Sequence, residues 1–279
     1  IGNTEIAAGF TSCGPVDDGR LKPEVVAYGN GRFTTAGTNQ YTSNSGTSFS
    51  SPATMGTATL LYQRYKQLHN DSVPEAALIK NVICNAADDI GNPGPDFIYG
   101  FGKINGDRAA KILEDNHFLS LSVDQSNILT RTFSVPSNTA AVDIMLMWTD
   151  PPSAPYETVI LVNDLDLTIV SPTGDTIKPW LLNFTPGGVA TNATTGYDHY
   201  NNYEQVTLSS PVAGTYTIVI KGYKVPLGPQ KAWISWDTRA AGIKVQSPNG
   251  GEVLKPGNAG TGTDHQYIRW DAYGTGNST

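Results

Sequence analysis

The hydrophobic spacing of this chain changes character near His117. Upstream, apolar residues recur at helical intervals; downstream, they alternate. Residues 48–68 read as one helix. Ala53, Gly56 and Ala58 make its first half small enough for close packing inside a domain, and Leu60, Leu61 and Tyr65 continue an apolar face. Ser72-Val-Pro-Glu75 has the form of a capping box with Pro74 inside the first turn, opening a second helix through Val82 and Ile83. Residues 85–105 are rich in loop formers, and Asp107 to Leu113 reads as a last short helix. Val25-Val26-Ala27 reads as a short buried strand ending at Gly29.

The second half alternates. Leu119, Leu121 and Val123 are followed by Phe133 and Val135, then by Val142, Ile144, Leu146 and Trp148. Leu165, Leu167 and Ile169 come next, then Val206 and Leu208, then Tyr216, Ile218 and Ile220, then Trp233, Ser235 and Asp237. Turn formers such as Pro172-Thr-Gly174 and Pro211-Val-Ala-Gly214 separate them. About eight strands in roughly 120 residues predict a sandwich of the jelly-roll kind. The predicted fold is therefore α/β over residues 1–116, an all-β jelly roll over 117–240, and an incomplete third β domain over 241–279.

Composition narrows the function. A net charge of −7 and a pI near 5.0 argue against nucleic-acid binding. No run of about 18 apolar residues is present, so no membrane-spanning helix is predicted. Abundant Asn, Thr, Ser and Gly with few charges suit a secreted, extracellular protein. Cys13 and Cys84 are the only cysteines, and they read equally well as a disulfide or as two thiols. Asn183 and Asn192 open matches to the glycosylation sequon that read as chance.

The densest chemistry lies in Gly46-Thr47-Ser48-Phe49-Ser50-Ser51-Pro52. A serine at a helix N-terminus has free backbone N–H groups and the positive end of the helix dipole beside its hydroxyl. That turn gives acyl transfer a nucleophile and an oxyanion donor together. Pro52 is expected within the first turn, where its missing N–H costs nothing. The plainer reading makes Ser48 a helix cap.

The match continues on both sides of Ser48. Phe10-Thr-Ser-Cys-Gly-Pro15 and Asp18-Gly-Arg-Leu-Lys-Pro-Glu-Val-Val-Ala-Tyr-Gly29 precede it, and Gly94-Pro-Asp-Phe-Ile-Tyr-Gly-Phe-Gly-Lys-Ile-Asn105 follows. In these blocks the chain resembles the subtilisin-like serine peptidases. The resemblance makes Ser48 the nucleophile and implies an α/β catalytic domain. Phe49, Cys13, Tyr28 and Glu24 depart from the usual Met, Arg, Pro and Asp. The family's Asp, His and oxyanion Asn precede the serine, and neither an Asp-Thr/Ser-Gly nor a His-Gly-Thr motif occurs here. His69, His117, His199 and His265 all follow Ser48 and read as structural or surface residues. The resemblance therefore implies the C-terminal part of a secreted bacterial serine endopeptidase. It would act on proteins or peptides, partner the remainder of its own catalytic domain, and be inactive alone.

Leu161-Val-Asn-Asp-Leu-Asp-Leu167, Ala213-Gly-Thr-Tyr-Thr-Ile218 and Val225-Pro-Leu-Gly-Pro-Gln230 resemble the jelly roll that follows the catalytic domain in certain alkaline subtilases. Ser247 to Glu252 and Ile268 to Asp271 resemble the opening strands of an immunoglobulin-like repeat. The alternative function is a surface or carbohydrate-binding β-sandwich carrying an inactive peptidase remnant. Trp148, Trp180, Trp233 and Trp236 are too scattered for an aromatic row, with Trp233 and Trp236 expected on opposite faces.

Asp164 and Asp166 fall on one face of a predicted strand, and Asp198, Asn201, Asn202 and Glu204 cluster before a later one. Asp164, Asp166, Asp198, Asn202 and Glu204 are candidate ligands for a structural Ca²⁺, against the reading that Asx residues serve turns. Asp88, Asp89 and Asp96 read as turn residues. No organic cofactor is implied.

Overall fold

The computed structural model describes residues 6–248, 250–252 and 268–274. Among the described residues the regular structure is mostly β-strand, with three helices. It opens with a hairpin, β1 (Arg32–Thr35) and β2 (Tyr41–Asn44), which sequence spacing did not disclose. Its apolar residues, Phe33 and Tyr41, stack on each other in solvent, so no buried face gave the strands a pattern. Helices follow at α1 (Thr47–Leu68), α2 (Ala76–Asn85) and α3 (Gly106–Glu114).

The strands then run β3 (Phe118–Val123), β4 (Ile128–Val135), β5 (Thr139–Trp148), β6 (Asp164–Val170), β7 (Thr176–Ile177), β8 (Trp180–Leu181), β9 (Thr194–Thr195), β10 (Tyr203–Ser209), β11 (Gly214–Lys224) and β12 (Gln230–Ala240). Two four-stranded sheets result, ordered β10-β5-β12-β3 and β4-β11-β6-β7. Every strand predicted between Leu119 and Asp237 lies in one of them. The alternating residues face one shared core: Val142, Ile144 and Leu146 from the first sheet meet Leu165, Leu167 and Ile218 from the second. β13 (Gly242–Ser247) pairs with β14 (Arg269–Tyr273). The rest of the proposed third domain, including His265, lies outside the described residues.

The boundary near His117 is no physical gap. The first sheet buries its second face too, against the helical part. Met145, Met147 and Tyr203 share a core with Leu21, Cys84, Phe97 and Phe101, while Phe118 and Trp233 join Leu78, Val82 and Ile112. Trp236 packs on the sandwich core, so it and Trp233 do point opposite ways. Asn81 and Asn85, one turn apart on α2, are fully buried against this face. Asn81 Nδ2 donates to the Met145 and Trp233 carbonyls at 2.9 and 3.1 Å, and Asn85 Nδ2 donates to Ser235 Oγ at 2.9 Å.

Four local expectations need correction. Glu75, not Ser72, precedes α2, and it makes no capping bond. Its carboxylate is drawn instead to Trp233 Nε1, at 2.9 Å, and to Lys231. Pro52 sits in the second turn of α1, because the helix already begins at Thr47. Leu60 is 66% exposed while Leu61 is buried, since α1 covers the core along one line only. Val25-Val26-Ala27 makes a single parallel bridge, Val26 to Lys103, and is only partly buried, because no longer strand lies alongside.

Candidate functional site

Ser48 is the second residue of α1, and its side chain is exposed. Two glycines set its position. Gly46 N–H donates to the Gly29 carbonyl at 2.9 Å, holding the start of the helix against the segment after Val26. That approach is possible because Gly29 has no side chain: a Cβ there would lie 2.2 Å from Ser50 Oγ and 2.6 Å from the Gly46 carbonyl oxygen. Phe49 N–H turns back to the Gly46 carbonyl at 3.0 Å. The Ser48 N–H belongs to the first turn, whose donors have no acceptor inside the helix. Pro52, four residues on, also leaves the Ser48 carbonyl without its helical N–H partner. Ser48 is therefore bracketed by unsatisfied backbone groups at the positive end of a 22-residue helix.

A cavity of about 420 Å³ lies against the first turns of α1, lined from the helix by Thr47, Ser50, Ser51 and Thr54 and not by Ser48, and from elsewhere by Phe10 and Tyr28 among others. Ile6, Phe10 and Tyr28, which line the cavity, are exposed, and so are Met55 and Leu60 elsewhere on α1. Exposed apolar side chains around a cavity suit an interaction surface or groove.

Among the described residues no histidine lines that cavity. His69 caps the far end of α1 and stacks on Tyr65, roughly 30 Å from Ser48 along the helix axis. His117 stacks on Trp236, and burial holds its imidazole below the usual range. His199 stacks on Tyr223 in the sandwich.

The two cysteines are free thiols. Cys13 is exposed, while Cys84 is buried, and desolvation pushes its thiol up to about 12. Asp96 Oδ1 accepts from the N–H groups of Ile98 and Tyr99, both at 2.8 Å, and Asp89 Oδ2 accepts from Gly94 N–H at 2.8 Å; both serve turns. Asp88 instead meets Arg108 Nη1 at 3.0 Å.

Of the five metal candidates, Glu204 and Asp198 have their carboxylate oxygens engaged by the chain itself, and Asn202 is held through its amide nitrogen. Glu204, almost wholly buried, accepts from Asp198 N–H at 2.8 Å and from Leu167 N–H; burial raises its carboxyl well above the ordinary value. Asp198 accepts from Tyr200 N–H, Asn201 N–H and Asn201 Nδ2. Asn202 Nδ2 donates to the Trp148 carbonyl. Asp164 and Asp166 do share one face of β6, and what meets them is His199, with Nδ1 at 2.8 Å from Asp164 Oδ2 and 4.0 Å from Asp166 Oδ1. Sequence reading left His199 out because it took that histidine as a structural or surface residue; the signal was Asp198-His199 next to Asn201-Asn202.

Comparison with known proteins bears on the first site. The serine protease/ABC transporter B family protein tagA of Dictyostelium discoideum is 25% identical over 261 residues, covering 79% of this chain and 15% of that protein. The protein tagD of the same organism, described in the same words, is 26% identical over 305 residues, covering 79% and 16%. The chain thus spans about a sixth of the length of the curated relatives it matches. The family model described as the subtilase family matches residues 2–102, a stretch containing the glycine pair, the cavity and Ser48. Residues 2–102 are therefore the part of this chain that is similar to the subtilase family.

Proposed function

We propose that this chain is part of a secreted serine endopeptidase in which Ser48 Oγ attacks the scissile carbonyl of a protein or peptide substrate. The observation that carries the reading is the placement of Ser48: an exposed residue at the N-terminus of α1, within the matched segment. As the C–O bond forms, negative charge develops on the carbonyl oxygen, and the Ser48 N–H is placed to receive it. The hydroxyl proton passes to an imidazole base, which then protonates the leaving amine; water hydrolyses the resulting ester. That base is not among the described residues. The exposed surface of Ile6, Phe10, Tyr28, Met55 and Leu60 is where the remainder of the catalytic domain, carrying base and orienting carboxylate, would pack.

On this reading the sandwich is a jelly roll that braces the catalytic part through α2. A carbohydrate-binding role gains no support: Trp148 and Trp233 are buried, and Trp180 and Trp236 are partly buried against the protein. Casein hydrolysis by the whole natural polypeptide tests the proposal. Ser48→Ala should leave no more than the ~10³–10⁴-fold residual acceleration that binding and the oxyanion site provide. Turnover near wild type would remove Ser48 from the reaction.

A further inference from the structure

The outer face of β6 carries a group of side chains that the peptidase reading does not use. Leu165 and Leu167 point into the sandwich core, so Asp164 and Asp166 point the other way. They are not left in solvent. The segment before β10 folds over them, with Tyr197 Oη at 3.2 Å from Thr168 Oγ1, Glu204 accepting from Leu167 N–H, and His199 Nδ1 against Asp164. Asp164 is 4% exposed and Asp166 is 6% exposed.

Two carboxylates buried this deeply need partners. They lack them. Asp164 Oδ2 receives His199 Nδ1, but Asp164 Oδ1 and Asp166 Oδ1 are buried with no hydrogen-bond partner among the described residues. Elsewhere the fold satisfies its buried carboxylates: Glu204, Asp198 and Asp96 each accept from backbone N–H groups. Lys221 and Lys224 on β11 stand in register with Asp166 and Asp164, and the Lys221 ammonium lies toward the Tyr223 ring. Asp166 Oδ1 is aimed at the same place as the imidazole nitrogen.

We propose that Asp164, Asp166 and His199 form a binding site for a divalent transition cation of the zinc type. One ligand atom from each residue lies within 4.8 Å of the others. Oxygen and imidazole ligands about 2.0–2.2 Å from one zinc ion stand roughly 3–3.5 Å apart, and the separations of 2.8 and 4.0 Å from Nδ1 bracket that value. Binding replaces the Nδ1–H···Oδ2 hydrogen bond with a metal–nitrogen and a metal–oxygen bond, and the ring proton passes by way of solvent from Nδ1 to Nε2, so that the ligating imidazole stays neutral. The imidazole is held by stacking on Tyr223, with ring centroids 4.3 Å apart. Its side chain is 40% exposed, so water completes the coordination. The donor set separates this site from a calcium site. Calcium takes six to eight oxygens, and the neighbouring carboxylates of Asp198 and Glu204 are committed to backbone donors, whereas an imidazole with two carboxylates suits zinc and its neighbours.

The test uses the whole 279-residue chain, stripped with chelator, and reads calorimetric binding and melting temperature with ZnCl₂ or CaCl₂. One zinc ion should bind and raise the melting temperature, with calcium at the same concentration giving no shift. Asp166→Asn and His199→Ala should each weaken zinc affinity at least tenfold. In chelator Asp166→Asn should melt at or above the wild type, because it removes an uncompensated buried charge. Cobalt(II) should show visible absorption that His199→Ala abolishes. The proposal is overturned by zinc binding unchanged in both variants, by no zinc-dependent shift at all, or by a calcium shift indifferent to His199→Ala. It is equally overturned if Asp166→Asn melts well below wild type in chelator, since Lys221 would then be the true partner.

Discussion

Arg108 donates its Nε hydrogen to Asp237 Oδ2 at 2.8 Å, joining α3 to β12 across 129 positions of sequence. The contact settles a conflict inside the sheet. Asp143 and Asp237 stand directly opposite each other on β5 and β12, where like charges destabilise. Arg108 reaches both, with Nη2 at 3.3 Å from Asp143 Oδ2, and Arg239 Nη2 approaches the same oxygen at 2.6 Å. All four side chains are largely buried. Arg108→Ala should cost about 3–5 kcal/mol, because it leaves Asp237 charged, buried and unpaired. Arg108→Ala with Asp237→Leu should recover much of that loss. Chemical denaturation of the single and double variants measures both, and equal stability of Arg108→Ala and wild type would contradict the account.

The asparagine pair on α2 makes a second seam. Asn81→Leu removes donors from the Met145 and Trp233 carbonyls and the acceptor of Ser235 Oγ. Each buried group left unsatisfied costs about 1–3 kcal/mol. The variant should melt several degrees lower, with the helical part and the sandwich still unfolding together because both share apolar cores. A melting temperature matching wild type would show that these bonds add nothing to packing.

Acid sensitivity should be traceable to Glu24. Burial pushes its carboxyl up, but Lys80 and Lys22 outweigh burial, so in the folded chain it lies below the ordinary value of 4.5. The unfolded chain then binds more protons near that pH, and stability is lost as pH falls from about 4.5 through the lower folded value. Glu24→Gln should be less stable at neutral pH and lose less stability on acidification. An acid-side melting profile parallel to wild type would contradict this.

Gly29 tests how Ser48 is positioned. The added methyl group of Gly29→Ala would meet Ser50 Oγ and the Gly46 carbonyl, neither of which can stay in place. The start of α1 should shift while both cores, which lie elsewhere, stay intact. Peptidase activity of the whole protein should fall at least tenfold with an unchanged far-ultraviolet circular dichroism spectrum. Full activity would mean that the approach of Gly29 to Gly46 does not set the serine.

Most sandwich strands were legible in the sequence because they turn one periodic apolar face to the shared core, as Leu165, Leu167 and Ile169 do. Legibility failed where partners lie far away in sequence. Glu75 looks like a capping residue until Trp233 is beside it, and β5 buries both faces because α2 covers the second. The position of Ser48 at the start of a helix was readable because its motif is local and contiguous. The metal candidates were readable only in part. Alternation places Asp164 and Asp166 together, but their companion, His199, comes from a loop whose path no periodicity reports.

The central claim, that Ser48 is an activated nucleophile, is tested most directly with a fluorophosphonate probe, which marks serines whose hydroxyl is deprotonated on attack. The whole natural polypeptide and the 279-residue chain are incubated with the probe, digested and sequenced by mass spectrometry. The account predicts stoichiometric labelling of Ser48 in the whole protein, none in Ser48→Ala, and none in the 279-residue chain, where no described histidine reaches the hydroxyl. Labelling at a different serine in the whole protein, or no labelling there at all, would contradict it.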